Sequence, residues 1–227
     1  MKNIININSC IFKYPHAVKN TVNIENLTIK DGEHIFLKGK SGSGKSTLLN
    51  LLTGVIEPQS GSIKILDTDI TTLSASQKDR FRGDNFGIIF QQLNLLPYLS
   101  VEENISLACG FSQKKSSNIK DIKKEIDFYL DSLKIPHAMK TKKAISLSVG
   151  EQQRVAVARA LIGKPKIIIA DEPTSALDDE VKDEFMKLLF KQVDSQGSTL
   201  VFVSHDKSLS KYFESVYNFD DINRIEA

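Results

Sequence analysis

Gly39-Lys40-Ser41-Gly42-Ser43-Gly44-Lys45-Ser46 is the stretch that decides the fold. It fits G-x-x-x-x-G-K-[ST] at every fixed position. It follows Ile35–Leu37, which has strand character, and opens Thr47-Leu48-Leu49-Asn50-Leu51-Leu52, a helical run closed by Gly54. Glycines let backbone N–H groups converge on phosphate oxygens without side-chain clash. The helix behind them offers its own free N–H groups and positive dipole end to the same anion. In such a cradle Lys45 reaches the β- and γ-phosphates and the Ser46 hydroxyl ligates Mg²⁺. A glycine-rich turn with a chance lysine is the bland alternative, and the strand–loop–helix context speaks against it.

Two later stretches repeat one pattern, an apolar strand ending in polar residues. Ile167-Ile168-Ile169-Ala170 ends in Asp171-Glu172, and Val201-Phe202-Val203 ends in Ser204-His205-Asp206. Residues at the carboxyl ends of parallel strands face the ligand crevice of an open α/β sheet. There Asp171 suits Mg²⁺, held through its water shell. Glu172 suits general-base work on an attacking water, and His205 suits contact with the γ-phosphate. Taken alone, an acidic pair at a strand end is as often a solvated end, and a lone His is more often structural.

The remaining pattern agrees with an α/β fold. Strand character marks Ile4, Ile5, Ile7, Ile11-Phe12, Val22–Ile24 and Leu27–Ile29, with Lys30-Asp31-Gly32 as a turn before Ile35. The N-terminal third therefore reads as short strands in hairpins. Ser62–Leu66 and Gly87–Phe90 are further strands, and Ser74 with Gln77 resembles a capping box. From Gln91 to Val149 the texture changes. Ser112–Asn118 is polar and loop-like, and Ile119, Ile122, Ile126, Tyr129, Leu130 and Leu133 recur at helical spacing. Helices follow over Glu151–Ile162 and around Val181–Val193, alternating with the buried strands Lys166–Ala170 and Thr199–Val203. Such alternation predicts a mostly parallel sheet covered on both faces.

Composition removes several classes of function. A formal net charge of +2 gives no global field for nucleic acid or an anionic membrane. Met1–Tyr14 is Asn-rich and lacks the apolar core of a secretory signal. Ile167–Ala170 is typical of the longest apolar runs, far short of a membrane span. Cys10 and Cys109 form no metal or redox motif and read as reduced structural thiols.

Leu147-Ser148-Val149-Gly150-Glu151-Gln152-Gln153-Arg154-Val155-Ala156-Val157-Ala158-Arg159-Ala160-Leu161 resembles the signature segment of ABC transporter ATPases, LSGGQ followed by QRVAIARAL. The resemblance covers nearly the whole chain in the family's order. It implies a P-loop NTPase (RecA-like) core, an N-terminal antiparallel β subdomain and an inserted α-helical subdomain. The expected division is one domain, 1–227, with 1–90 and 155–227 as the nucleotide-binding core and 91–154 as the helical signature subdomain. By the same resemblance Tyr14 stacks on adenine and Gly39, Ser41, Gly42, Ser43, Gly44, Lys45, Ser46 and Thr47 hold the nucleotide. Gln91 senses the metal and the attacking water, and Ser46, Gln91 and Asp171 are the metal ligands. Ser175-Ala176-Leu177-Asp178 looks like the D-loop, and Glu172 and His205 complete the catalytic set. Ser148 and Gly150 are expected to bind the γ-phosphate held by a second copy of the chain. The implied activity is ATP hydrolysis with Mg²⁺, in a homodimer on the cytoplasmic side of the cell (inner) membrane, peripheral through an integral membrane permease subunit and without nucleic acid.

Val149 departs from the pattern, standing where the motif has its first glycine. Valine disfavours φ > 0 and adds a branched side chain, so the hydrolysis rate is the property it puts in question. Leu93, Leu95, Leu96, Pro97, Tyr98 and Leu99 lie where the family receives a coupling helix of its membrane subunit, and packing inside the helical lobe is the other reading of those residues. Gly87–Ile105 looks most like the MacB/LolD/FtsE branch, and with Ala227 soon after His205 the regulatory domain of some importer ATPases is not expected. That branch implies export or extrusion of lipoprotein, peptide or drug type, with a cell-division ATPase that signals through a membrane partner as the alternative. An N-K-x-D guanine motif is absent, which excludes a GTPase. The Gln91–Ser148 interval is too short for the coiled coil of a chromosome-structuring ATPase. A translation-factor member usually carries two such domains in one chain, and this chain has one.

Overall fold

The structure is a computed structural model that describes residues 2–175 and 177–225. Contacts divide the chain into two compact units, Met1–Arg82 with Thr199–Ala227, and Gly83–Ser198.

In the first unit β1 (Asn3–Phe12) is the centre of an antiparallel sheet. It pairs with β2 (Val22–Lys30) on one side and β4 (Ser60–Ile65) on the other, in the order β2-β1-β4-β5, between which lie β3 (His34–Lys38) and α1 (Lys45–Leu52) in sequence. The short β5 (Thr68–Asp69) closes that edge, and α2 (Ala75–Asn85) follows. Ile5 sits opposite Ile29 and Ile65, and Ile7 opposite Leu27 and Ile63. All of these are buried, so the β1 isoleucines lay down the apolar face. The alternation then skips from Ile7 to Cys10, because the register slips between Asn8 and Ile11 and Ser9 takes φ 49. This bulge returns Cys10 and Phe12 to the buried face. Gly61 lies against it, where a Cβ would come 2.3 Å from the Ser9 carbonyl oxygen. The turn at Lys30–Gly32 does not make a further hairpin. β3 pairs in parallel with β8 (Thr199–Ser204) and β9 (Ser215–Asn218) instead of with β2. The reason is legible in hindsight: Ile35-Phe36-Leu37 is apolar without alternation, and all three are buried, as a strand covered on both faces requires. Phe36, Phe202 and Phe213 fill that core with ring centroids 5.3–6.0 Å apart. Ser74 and Gln77 form the expected box: Ser74 N–H donates to Gln77 Oε1 at 2.9 Å and Gln77 N–H to Ser74 Oγ at 3.4 Å.

In the second unit β6 (Phe86–Ile89) pairs in parallel with β7 (Ile167–Asp171). Around the pair stand α3 (Val101–Gly110), α4 (Gln113–Ser117), α5 (Ile122–Ser132), α6 (Val149–Leu161) and α7 (Asp179–Gln196). The sequence reading missed α3, although Ser100 and Glu103 announce it with a complete capping box. The polar stretch Ser112–Asn118, expected to be loop, contains α4. Polar composition misled there, because α4 is held by specific bonds: Ser112 Oγ donates to Asp84 Oδ1 at 2.5 Å, and the buried Lys115 ammonium to the Phe86 carbonyl at 2.7 Å. Asp121 caps α5, so Ile119 falls outside that helix. Tyr129 is fully buried; its hydroxyl donates to the Leu161 carbonyl at 3.0 Å and accepts from Gln196 Nε2 at 2.8 Å. Cys10 and Cys109 are free thiols, as expected. The short α8 (Phe219–Ile222), back in the first unit, is the last helix among the described residues.

Lys115 gives the second unit a measurable pH dependence. Burial pushes its pKa down from 10.5 to about 8, against the opposing pull of Cys109 and Asp84. Between those values the unfolded chain binds a proton that the folded chain does not, so stability rises with pH. Burial pushes the Cys10 thiol up from 9.0 to about 11, which acts the other way above pH 9. Urea unfolding should therefore show stability rising from pH 8 to pH 9, and Lys115→Met should flatten that rise. The same slope in the variant as in the wild type would remove Lys115 as its source.

Candidate functional site

Three parallel strands of the first unit end side by side, with Lys38 of β3 in register with Ser204 of β8 and Asn218 of β9. The loop Gly39–Gly44 leaves from the middle strand and enters α1. The helix begins at Lys45 with no side-chain cap and no acid in its first turn, so no side chain of the helix competes for the positive end of its dipole. Gly42 and Gly44 lie at φ 75 and φ 106, in the left-handed region. A Cβ on Gly44 would stand 2.7 Å from the Thr21 carbonyl oxygen, so this position admits only glycine. Lys45 is 6% exposed and arches back over the loop, its Nζ donating to the carbonyls of Gly39 at 2.8 Å and Lys40 at 2.6 Å. Ser43 Oγ is buried with no hydrogen-bond partner. A buried hydroxyl without a partner is costly, and an anion seated in the loop is the kind of acceptor that satisfies it. Ser41 and Ser46 are exposed at the loop and the first helical turn.

Tyr14 packs edge-on against Phe12 and its hydroxyl lies 3.3 Å from Thr47 Oγ1, which places the ring beside α1 with 43% of the residue exposed. His205 follows β8 and is exposed; it lines a hollow with Lys38, Gly39, Lys40, Lys207, Asn218 and Asp220. Three lysines against one aspartate make that hollow attractive to anions. Thus the structure brings Tyr14, the Gly39–Thr47 segment and His205 together within one unit. The sequence reading missed what lies underneath. Phe219 is fully buried and would meet a Cβ on Gly39 or Gly44 within 3.3 Å, so its ring floors the loop. Asn223 Nδ2 donates to the carbonyls of Thr21 at 3.1 Å and Ser43 at 3.4 Å. No local motif marks either residue, because their role is set by tertiary packing.

The second unit holds the other candidates. Ile89 of β6 is in register with Ala170 of β7, so Gln91, Asp171 and Glu172 leave the same end of the strand pair. Gln91 is exposed, and the two acids are partly buried. Glu172 takes φ 48 directly before Pro173, an uncommon conformation for a non-glycine residue, and backbone strain of this kind clusters at functional positions. Ser148 caps α6 in a full capping box: its N–H donates to Glu151 Oε2 at 2.7 Å and its Oγ accepts from Glu151 N–H at 3.4 Å. These bonds hold the Glu151 carboxyl below the usual carboxylate range. Val149 is the first residue of α6 and is absent from the positive-φ residues, so the left-handed backbone that made valine suspect is not required there. Its side chain is half exposed, and a Cβ on Gly150 would meet nothing within 4 Å. Pro97 and Tyr98 are exposed, while Leu93, Leu95, Leu96 and Leu99 are partly buried. Of the D-loop expectation, Ser175 is exposed and Asp178 is the N-cap residue of α7, whereas Ala176 lies outside the described residues. Among the described residues no three His, Cys, Asp or Glu side chains converge as a metal cage. Mg²⁺ is typically held by one or two carboxylates together with phosphate and water oxygens, and the hydroxyl, amide and carboxylate oxygens of Ser46, Gln91 and Asp171 are donors of the right hardness.

The sequence profile described as "ABC transporter" matches residues 22–175. The chain is 36% identical over 206 residues to the uncharacterized ABC transporter ATP-binding protein MJ0796 of Methanocaldococcus jannaschii, covering 91% of this chain and 86% of that one. It is 38% identical over 187 residues to the lipoprotein-releasing system ATP-binding protein LolD of Geobacter metallireducens, covering 82% and 81%. It is 37% identical over 199 residues to the macrolide export ATP-binding/permease protein MacB of Campylobacter jejuni, covering 86% of this chain and 30% of that one. A dimeric structure of MJ0796 in a post-hydrolysis state, bound to ADP and Pi, superposes with a TM-score of 0.84 at 31% identity, covering 98% of this chain and 97% of that one.

The orphaned hydroxyl offers a direct check on the phosphate cradle. Ser43→Ala should leave the nucleotide-free protein as stable as the wild type or up to about 1–2 kcal/mol more stable, because it removes a buried unpaired group. The same change should weaken ATP binding in a calorimetric titration. A loss of stability without any loss of affinity would mean that the hydroxyl serves the fold and not the ligand.

Proposed function

The chain belongs to the ABC transporter family as one of its ATP-binding, ATP-hydrolysing cassettes, and from that premise we propose how its residues divide the work. The observation that carries the proposal is the Gly39–Ser46 loop: glycine-only backbone, a lysine folded over its mouth and a buried hydroxyl left without a partner. Gly39, Ser41, Gly42, Ser43 and Gly44 cradle the phosphates of ATP through the backbone, and Lys45 neutralises the β- and γ-phosphates. Thr47 lines the nucleotide beside Tyr14, whose ring stacks on adenine. Ser46 and Gln91 would ligate Mg²⁺, and Asp171 would hold it through water. Bound there, the ion would offset the negative charge that develops on the phosphate oxygens. Glu172 takes a proton from the attacking water, Gln91 orients that water, and His205 donates a hydrogen bond to the γ-phosphate. Residues 1–90 with 155–227 act as the nucleotide-binding core and 91–154 as the helical signature subdomain.

Ser148 and Gly150 bind the γ-phosphate held by a second copy of the chain, so ATP bridges two protomers and favours the closed homodimer; hydrolysis removes the bridge. This cycle drives a separate membrane permease subunit in export or extrusion of lipoprotein, peptide or drug type. Two relatives support that branch through their names, one a lipoprotein-releasing and one a macrolide-exporting protein. The permease partner supplies the attachment to the membrane, on the cytoplasmic face of the inner membrane; among the described residues no helix is long and apolar enough to cross one. Tyr98 and Ile145, 66% and 72% exposed on segments joined by the Ile145 N–H to Pro97 carbonyl bond, are the apolar groups offered to it.

Glu172→Gln should lower the hydrolysis rate by about 10²-fold or more while ATP still binds, since general-base catalysis is worth that much. Wild-type turnover in this variant would remove Glu172 from the role. The same variant, tagged and purified from detergent-solubilised membranes with ATP, should bring down a multi-span protein in stoichiometric amount, and recovery of cytosolic partners alone would overturn the transporter reading.

A further inference from the structure

The loop after β6 is held in a conformation its residues disfavour. Leu93 and Asn94 are consecutive and both left-handed, at φ 36 and φ 48. Asparagine tolerates that region; leucine does so at a cost in energy. Leu93 N–H donates to the Phe90 carbonyl at 3.0 Å, closing a tight turn around Gln91 and Gln92. The two left-handed residues turn their carbonyls to a common donor. Arg159 Nη2 donates to the Leu93 carbonyl at 2.5 Å and Nη1 to the Asn94 carbonyl at 2.6 Å. A planar guanidinium presents its N–H groups as a rigid fork, which is the geometry two neighbouring carbonyls can share, and an ammonium does not. Burial lowers the Arg159 pKa, yet a guanidinium keeps its charge at any physiological pH.

Arg159 also stands where the fold has least slack. It lies on α6 next to Ala160, whose carbonyl oxygen would be 2.0 Å from a Cβ on Gly87 of β6. Strand and helix are thus pressed backbone to backbone one residue from the fork. Farther along, the fully buried Asn104 side chain bonds the backbone of Leu96, Leu99 and Ser100, so the segment is anchored again beyond the turn. Gln153, six residues back along α6, donates to the Pro173 carbonyl at 3.0 Å, directly after Glu172. One helix therefore grips the backbone on both sides of the β6–β7 edge that presents Gln91, Asp171 and Glu172.

We propose that Arg159 is a positioning residue for catalysis: its fork holds Leu93 and Asn94 left-handed, fixes the turn that presents Gln91, and ties that turn to the helix that Ser148 caps and Val149 and Gly150 open. The catalytic part of this proposal rests on the reading of Gln91 as the residue that meets Mg²⁺ and the attacking water. Arg159 touches neither; it acts through the loop.

The test uses the full chain and four variants. Arg159→Gln should lower kcat for ATP about tenfold or more with KM changed far less, and raise the Mg²⁺ concentration needed for half-maximal rate, as expected for a misplaced catalytic group. Amides of residues 93–96 should exchange with deuterium faster, with exchange elsewhere unchanged. Arg159→Lys should behave alike, since it keeps charge and stem but loses the fork, and it decides the matter if the glutamine variant does not fold. Adding Leu93→Gly and Asn94→Gly to Arg159→Gln should recover several-fold in kcat, because glycine holds a left-handed turn without a clamp. Wild-type kcat and exchange in Arg159→Lys would overturn the proposal, as would a loss that glycine does not relieve and that follows a general fall in stability. Gln91→Ala, run alongside, separates the two readings: wild-type turnover there removes Gln91 from catalysis, while the exchange data still decide whether Arg159 holds the loop.

Discussion

Binding a polyphosphate with backbone amides imposes one constraint that the first unit is built around. The amides must point inward, at the start of a helix, and stay unsatisfied until the anion arrives. That demands residues without side chains at Gly42 and Gly44, a strand to aim the loop and a floor to stop its collapse. β3, flanked in parallel by β8 and β9, provides the aim, and the buried Phe219 ring provides the floor. The lysine bonded to its own loop and the orphaned Ser43 hydroxyl are the marks of a site whose groups are arranged for a ligand and not for the fold. The parallel pairing of β3 with strands from the far end of the sequence follows from the same need, because only that arrangement sets several strand ends beside the loop.

The second unit answers a different demand, which is to hold Gln91, Asp171 and Glu172 at one strand-pair end and let a single element grip the backbone around them. α6 fills that role through contacts spread along its length: a capping box at Ser148, an amide bond to the Pro173 carbonyl, a glycine-only contact with β6 and the guanidinium fork on the loop after Gln91. Ala156 and Ala160, small residues one turn apart on a buried face, permit that approach. Glu172, Leu93 and Asn94 all carry left-handed backbone, and all three lie in or next to the segments that carry Gln91 and Glu172.

Much of this was legible in the residues. The P-loop, the acidic strand end and the signature segment name the family because each pairs an unusual composition with a fixed structural context, and the strands and long helices follow from uninterrupted apolar runs. What was hidden falls into two kinds. Ser100 and Glu103 mark the start of α3 with a capping box, a local signal that apolar periodicity does not register. Phe219, Asn223, Arg159 and the Lys115 anchor of α4 have no local signal, since each acquires its role from a partner distant in sequence. Val149 illustrates the converse. The motif comparison made it suspect on backbone grounds, and the helix that starts there places no such demand on it.

The account stands or falls on ATP joining two copies of the chain. Light scattering on size-separated Glu172→Gln protein, with and without Mg²⁺ and ATP, measures this directly. The account predicts twice the 25.3 kDa chain mass with ATP and the single-chain mass with ADP. A single-chain mass at saturating ATP, with nucleotide demonstrably bound, would contradict it.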